Sequence, residues 1–280
     1  MIKRTVRLKQ QPAGIDDILV PPDIYIEKTD GSLAQVGYRR RTTTDGYLET
    51  GVEVVPGRPT LFVLGGSFVE SMYCPESERF VSRLAQDSGW NVLNGGYSGM
   101  TTLQLVVAVL SKIAGQAKEG DCLLAFVPLS DINPLLKQGS YWLSDSTYTA
   151  IQPALGSELE PSTTHLSALL KCMESFTRHM GLKMILGVSP LRDCAFDQAW
   201  IRNLYRRNSL AFSNARRVAG EINETVRREA HELGLDILDV DAYLEGNPNF
   251  FYDELHLNQN GQAEVARFAS ERLRTVLSDW

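Results

Sequence analysis

The sequence predicts an α/β architecture: a doubly wound, mostly parallel sheet flanked by helices in three layers, with a β-rich N-terminal extension. Two observations predict it. Across residues 59–280, apolar segments of strand length alternate with amphipathic segments of helix length, the pattern of parallel strands joined by helical crossovers. The first of these strands, Thr60-Leu-Phe-Val-Leu, runs into Gly65-Gly66-Ser67. Its carboxyl end thus carries a pliable turn and a hydroxyl on the side of the sheet where ligands collect.

Residues 1–58 have a different texture. Residues 24–38 alternate around Asp30-Gly31, a hairpin signal, and a second Asp-Gly follows at Asp45-Gly46. This stretch reads as an extension packed on the main unit, residues 59–280, and not as an independent domain. Its run Arg39-Arg40-Arg41 reads as solvated charge; at the mouth of a site it would favour an anionic substrate.

The main unit begins with a strand at Leu61–Leu64 and a helix over Glu76–Ser88. A short strand, Trp90–Leu93, ends in Asn94-Gly-Gly-Tyr-Ser-Gly99. It leads to a helix over Thr102–Gln116 with Thr101 as N-cap and Leu103, Val106, Val107 and Leu110 on one face. A strand at Asp121–Pro128, a helix over Thr163–Met180 closed by Gly181 and a strand at Lys183–Val188 follow. One long helical stretch, about Asp197–Leu233, stops at Gly234. Leu235–Val240 forms the last strand and Gln259–Leu277 the last helix. Residues 138–161, polar and carrying Tyr141, Trp142 and Tyr148, follow a strand as binding loops and lids do.

Composition narrows the function. Hydrophobic content of 43% with 22% charged residues is that of a soluble globular chain. A net charge of −6 argues against nucleic acid or an anionic membrane as partner. No apolar run approaches a transmembrane span, and the basic start lacks the apolar centre of a leader, so a cytoplasmic location is expected. Cys74, Cys122, Cys172 and Cys194 lie far apart without C-x-x-C spacing and read as buried free thiols. The histidines lack zinc spacing, so no metal is expected; His165, His179 and His231 read as surface residues of helices. The many arginines of residues 202–228 read as a solvated face paired with Glu221, Glu224 and Glu229, and Asp193 as a loop cap.

The chemistry lies at two distant points. In Phe251-Tyr-Asp253-Glu-Leu-His256 an Asp precedes a His by three residues. On one turn the carboxylate can orient the imidazole and stabilise its protonated form, and the imidazole can serve a serine as general base. Ser67 is the candidate nucleophile, although Gly65-Gly66-Ser67 alone also reads as a tight turn with Ser67 as a helix N-cap. With an N-terminal strand–Gly–Gly–Ser and a C-terminal D-x-x-H, the chain resembles the SGNH (GDSL-type) hydrolase superfamily over about residues 60–278.

The resemblance implies Ser67 as nucleophile, His256 as base and Asp253 as its orienter. The loop Asn94–Gly99 is similar to the superfamily's second block and makes the Gly99 N–H an oxyanion donor. The third block departs. Where the family has G-x-N-D this chain has Pro128-Leu-Ser130-Asp131, so Ser130 stands at the Asn position, with Asn133 three residues on as a substitute. Gly66 stands where the family has Asp. An α/β-hydrolase fits less well, because Gly65-Gly-Ser-Phe-Val69 lacks the final glycine of G-x-S-x-G. The implied function is a serine esterase acting on a small-molecule or saccharide ester, such as an O-acetyl group of a carbohydrate, without a cofactor. O-acyl transfer on the same machinery, or a non-catalytic binding or assembly protein with a degenerate oxyanion hole, are the alternatives. Oligomeric state is not legible.

Overall fold

In a parallel sheet covered on both faces, every strand must be apolar on both sides. The computed structural model describes residues 5–6, 8–136, 140–142, 151–152 and 162–277. Residues 1–58 contribute strands β1 (Thr5–Val6), β2 (Asp16–Leu19) and β3 (Tyr38–Arg41) and a helical turn α1 (Asp23–Ile26). The chain goes on with β4 (Thr60–Gly65), α2 (Ser67–Glu70), α3 (Phe80–Asp87) and β5 (Asn91–Gly96). It continues with α4 (Thr102–Ala108), β6 (Cys122–Val127), α5 (Ile132–Leu135), β7 (Ile151–Gln152) and α6 (Thr163–His179). The last elements are β8 (Lys183–Val188), α7 (Ala199–Leu204), α8 (Ser209–Leu233), β9 (Asp236–Asp239), α9 (Val240–Leu244) and α10 (Gln259–Leu277).

The central sheet has the order β5-β4-β6-β8-β9, and all its pairings are parallel. Alternate side chains serve the two faces. Phe62, Leu64, Leu123, Ala125 and Val127 pack with Leu105, Leu166, Leu170, Ile222 and Val226 of α4, α6 and α8. Leu61, Val63, Leu124 and Phe126 pack with Phe80, Leu84, Val265 and Ala269 of α3 and α10. Because β4 lies between β5 and β6, the winding reverses beside it, and the strands' carboxyl ends at such a reversal are where open α/β sheets bind ligands. Among the described residues, no helix is long and apolar enough to cross a membrane.

The structure corrects several local readings. No hairpin forms about Asp30-Gly31. The Tyr25 and Ile26 amides bond the Pro22 carbonyl, drawing Ile24–Ile26 into α1, and β2 pairs with β3 across the intervening segment. The arginine run is ion-paired: Arg39 with Asp16 (2.8 Å), Arg40 with Asp17 (2.6 Å) and Arg41 with Glu76 (2.9 Å). The long helical stretch is broken at Arg206 and Arg207, which take φ of 50° and 59°, and Asn208 restarts it by capping the Ala211 amide. After α4 the helix widens into a π turn at Val109–Ile113, which rotates Val109 and Ile113 inward and leaves Leu110 48% exposed. Cys74 and Cys122 are buried free thiols, but Cys172 is exposed and Cys194 half-buried. His165 is half-buried against the Trp142 ring, while His179 and His231 are exposed. Of residues 138–161, only Ser140–Trp142 and Ile151–Gln152 fall within the described residues, so the lid reading lies largely outside them.

A glycine decides how closely α2 approaches the sheet. A Cβ on Gly96 would stand 2.4 Å from the Glu70 amide nitrogen and 2.7 Å from the Val69 carbonyl carbon. These are backbone atoms and cannot swing aside. Gly96→Ala is therefore expected to destabilise the fold by about 1–3 kcal/mol or more, read as a lower urea midpoint at unchanged slope; an unchanged midpoint would contradict this packing.

Candidate active site

Three loops leave the carboxyl ends of β4, β5 and β6. At the end of β4, Gly66 is the N-cap of α2 and Ser67 its first residue, so the turn reading of Gly65-Gly66-Ser67 is right about the helix start but one residue off about the cap. Ser67 is half-buried, and at a helix's first position its amide has no intrahelical acceptor. Gly66 faces the next loop: a Cβ there would lie 3.1 Å from Pro128 Cβ and 3.8 Å from Ser130 Oγ. That proximity is a physical reason for Gly where the resemblance expects Asp.

The C-terminal stretch brings its own turn. Phe251 and Leu257 form an antiparallel bridge, and between them Asp253 Oδ1 accepts the amides of Leu255 (2.8 Å) and His256 (2.7 Å). The other carboxylate oxygen, Oδ2, lies 2.7 Å from His256 Nδ1, and His256 Nε2 lies 2.7 Å from Ser67 Oγ. Ser67, His256 and Asp253 thus form one hydrogen-bonded relay. With Nδ1–H given to the carboxylate, Nε2 is left to accept from the serine hydroxyl. Burial works against both charges, but each partner's charge and hydrogen bond outweigh it. Asp253, also held by two amides, lies below the usual carboxylate range, and His256 lies above the ordinary imidazole value, raised further by the charges of Glu254 and Glu70.

The loop after β5 is braced by its neighbours. The Tyr97 amide bonds the Gly65 carbonyl (3.0 Å), and Gly99 takes φ of 70°. Glu70, 2% exposed in α2, accepts the Ser98 amide (2.7 Å), the Ser98 hydroxyl and the Gln11 side-chain amide (2.7 Å). The Gln11 amide also reaches the Gly96 carbonyl (3.2 Å). After β6, Ser130 is half-buried beside Gly66, whereas the Asn133 amide turns back onto the Ser130 carbonyl (3.4 Å). Asp131 is fully buried and accepts the Thr102 amide (2.9 Å), the Thr102 hydroxyl (2.5 Å) and the Tyr141 hydroxyl (2.6 Å). Burial pushes Asp131 up to about 6 although those bonds lower it. Among the described residues, no group of three or more His, Cys, Asp or Glu stands together to hold a metal ion.

Sequence reasoning missed four residues that touch this site. Glu70 and Gln11 brace the loop after β5. The Tyr252 ring stacks on His256 with centroids 5.7 Å apart. The Tyr25 hydroxyl, from the extension, lies 3.1 Å from Asp253 Oδ2 and 3.3 Å from His256 Nδ1. The one available signal was Glu70, an acid three residues after Ser67 in an apolar helical start. Asp193 is exposed, its amide bonding the Gly246 carbonyl (2.8 Å), and the helix arginines pair as expected, among them Arg217 with Glu221 and Arg227 with Glu224.

No family model matches the chain, and no curated protein matches it. Solved structures do. A member of the lipolytic protein G-D-S-L family from Veillonella parvula is 16% identical, with a TM-score of 0.53 over 76% of this chain and 96% of that one. The acetylxylan esterase Axe2 from Geobacillus stearothermophilus is 14% identical, with a TM-score of 0.54 over 79% and 96%. A putative G-D-S-L lipolytic protein from Desulfitobacterium hafniense is 15% identical, with a TM-score of 0.51 over 76% and 99%. The chain has the fold of the SGNH (GDSL-type) hydrolases.

Glu70→Ala removes the acceptor of three hydrogen bonds in a buried place. The expected result is a loss of about 1–3 kcal/mol of stability and faster hydrogen exchange at the Ser98 amide, measured by NMR; unchanged protection there would show that the loop does not depend on Glu70.

Proposed function

We propose that the protein is an SGNH-type serine hydrolase that cleaves a carboxylic ester, with residues 1–58 serving as an extension of the hydrolase unit formed by residues 59–280. The observation that carries this reading is the unbroken relay from Ser67 Oγ through the His256 ring to Asp253 Oδ2, with both hydrogen bonds 2.7 Å long. Such a relay can activate a serine, and its geometry already meets the requirement for proton transfer.

In this mechanism Ser67 Oγ attacks the ester carbonyl carbon as its proton passes to His256 Nε2. The tetrahedral intermediate carries its negative charge on the former carbonyl oxygen, which the Ser67 and Gly99 amides and the Ser130 hydroxyl stabilise. Asp253 holds the imidazolium without taking its proton. Collapse breaks the bond to the leaving alcohol, which takes the Nε2 proton and leaves an acyl-Ser67. Water then repeats the sequence, with His256 again as base, and releases the acid. Asn133, its amide engaged with the Ser130 carbonyl, takes no part. The acetylxylan esterases among the similar folds favour a small acyl group on a saccharide, an O-acetyl ester, as the substrate class.

Hydrolysis of p-nitrophenyl acetate by the purified protein tests the reading. Ser67→Ala is expected to lower kcat by ~10⁴–10⁶ and to abolish labelling by a fluorophosphonate probe. Ser130→Ala is expected to lower kcat by ~10²–10³. His256 must be neutral to act as base and its pKa is raised, so kcat/KM climbs with pH and is half-maximal above about 6.5, the ordinary imidazole value. No turnover and no labelling in the wild type would overturn the proposal in favour of a binding protein.

A further inference from the structure

The relay has a fourth member that comes from outside the main unit. We propose that Tyr25 is a positioning residue for this site: its hydroxyl clamps Asp253 Oδ2, the oxygen that holds His256, and so fixes the base against Ser67. The inference rests on the serine-hydrolase reading above.

Four hydrogen bonds converge on the Asp253 carboxylate. Oδ1 accepts two amides of its own turn, and Oδ2 accepts His256 Nδ1–H and the Tyr25 hydroxyl. Without Tyr25, Oδ2 would accept from the histidine alone, and the carboxylate would keep three of its four hydrogen bonds. The phenol is a dependable donor, because burial and the neighbouring Asp253 charge hold its pKa far above the ordinary value and keep the proton on oxygen.

Tyr25 is not there by the chance swing of a surface side chain. Its ring packs on Tyr73 (centroids 5.1 Å) and edge-on to Tyr252 (6.5 Å), the residue whose own ring stacks on His256. The segment behind it is tied to the same turn. The Asp30 amide bonds the Tyr252 carbonyl (2.9 Å), Asp30 pairs with the buried Arg192 (2.6 Å), and the Asn203 side chain bonds the Glu27 carbonyl (3.0 Å). The Arg192 amide in turn bonds the Glu254 carbonyl (2.9 Å). The extension is therefore docked on the Asp253–His256 turn at several independent points, and Tyr25 is the one that reaches the reacting groups.

The electrostatic consequence has a definite sign. A hydroxyl donating to Oδ2 takes up part of the charge that would otherwise stabilise the imidazolium. Removing it leaves Asp253 a stronger partner for the protonated base, so His256 titrates at higher pH. The other titratable groups that reach the pair are Glu70 from α2, Glu254 and Tyr252 on the same turn and, through Tyr252, Tyr73 and Cys74. A Phe at position 25 leaves all of them in place.

The test compares wild type, Tyr25→Phe and a control, Tyr38→Phe. The Tyr38 hydroxyl sits in the same aromatic cluster but bonds the Ala34 carbonyl (3.0 Å), away from the relay. Two readouts are taken: the pH profile of p-nitrophenyl acetate hydrolysis, and the NMR titration of the His256 imidazole. Tyr25→Phe is expected to lower kcat ~10-fold with KM within about twofold, the scale of one charge-assisted hydrogen bond. Its acid limb and the His256 titration should both move to higher pH, while Tyr38→Phe follows wild type. Superimposable profiles and titrations for Tyr25→Phe and wild type would overturn the inference, as would equal shifts in the control. Should the wild type not hydrolyse the ester, the functional proposal fails, and the His256 titration still decides whether Tyr25 acts on the pair.

Discussion

The site depends on the register of three parallel strands. β4 is flanked by β5 and β6, and Gly65 stands opposite Gly96, so the loops after β4 and β5 leave the sheet at the same level. Parallel pairing then delivers Ser67, Gly99 and Ser130 to one rim, since every strand ends in the same direction. A slip of one residue in β5 would turn its core face to the wrong layer and lift the Ser98–Gly99 loop away from Ser67. The close approach of α2 has the same origin: Gly96 of β5 lets the Val69–Glu70 backbone lie against it, and Gly65 of β4 leaves room for the Val69 and Phe126 side chains.

Buried acids hold the loops in place once the strands have set their height. Glu70 binds the loop after β5 to the helix that carries Ser67, and Asp131 binds the loop after β6 to the start of α4 and to Tyr141. The two differ from Asp253, whose partner is a cation when the base is protonated. Asp131 has only neutral donors, and burial raises it from its ordinary value of 3.8 to about 6. A carboxyl raised in the folded state contributes stability that is fully present below its unfolded value and is lost as pH rises through about 6. At neutral pH this brace is therefore maintained by the surrounding fold.

Much of this was legible in the sequence, for identifiable reasons. Strands buried on both faces are continuous apolar runs, so β4, β6 and β8 stand out with nearly correct ends. Ser67, Asp253 and His256 could be found because each sits within a short local pattern: a glycine pair before a serine, and an acid one turn from a histidine. The departures at Gly66 and Ser130 were legible too, although only the structure supplied the proximity of Pro128 that accompanies the first. What escaped was non-local or depended on competition. Residues 24–38 alternate as a strand does, but the Pro22 carbonyl captures two amides and makes a helical turn. The break at Arg206 and Arg207 carries no glycine or proline to announce it. Leu110 lost its place in the core to a π turn that no periodicity marks. Tyr25 and Gln11 touch partners far along the chain, and nothing in their own neighbourhood records it; for Glu70 the only local hint was an acid in an apolar helical start.

The separation of the relay's members along the chain bears on its synthesis. Ser67 and His256 are 189 residues apart, and Tyr25 and Asp253 are 228 apart. At the pace of translation, the stretch between the serine and its base takes about 10–40 s to make. During that time β4, β5 and β6 can pair, while Ser67 remains an ordinary alcohol with no base beside it. The hydrogen bond from Ser67 to His256 can form only once the Asp253–His256 turn has been made and docked.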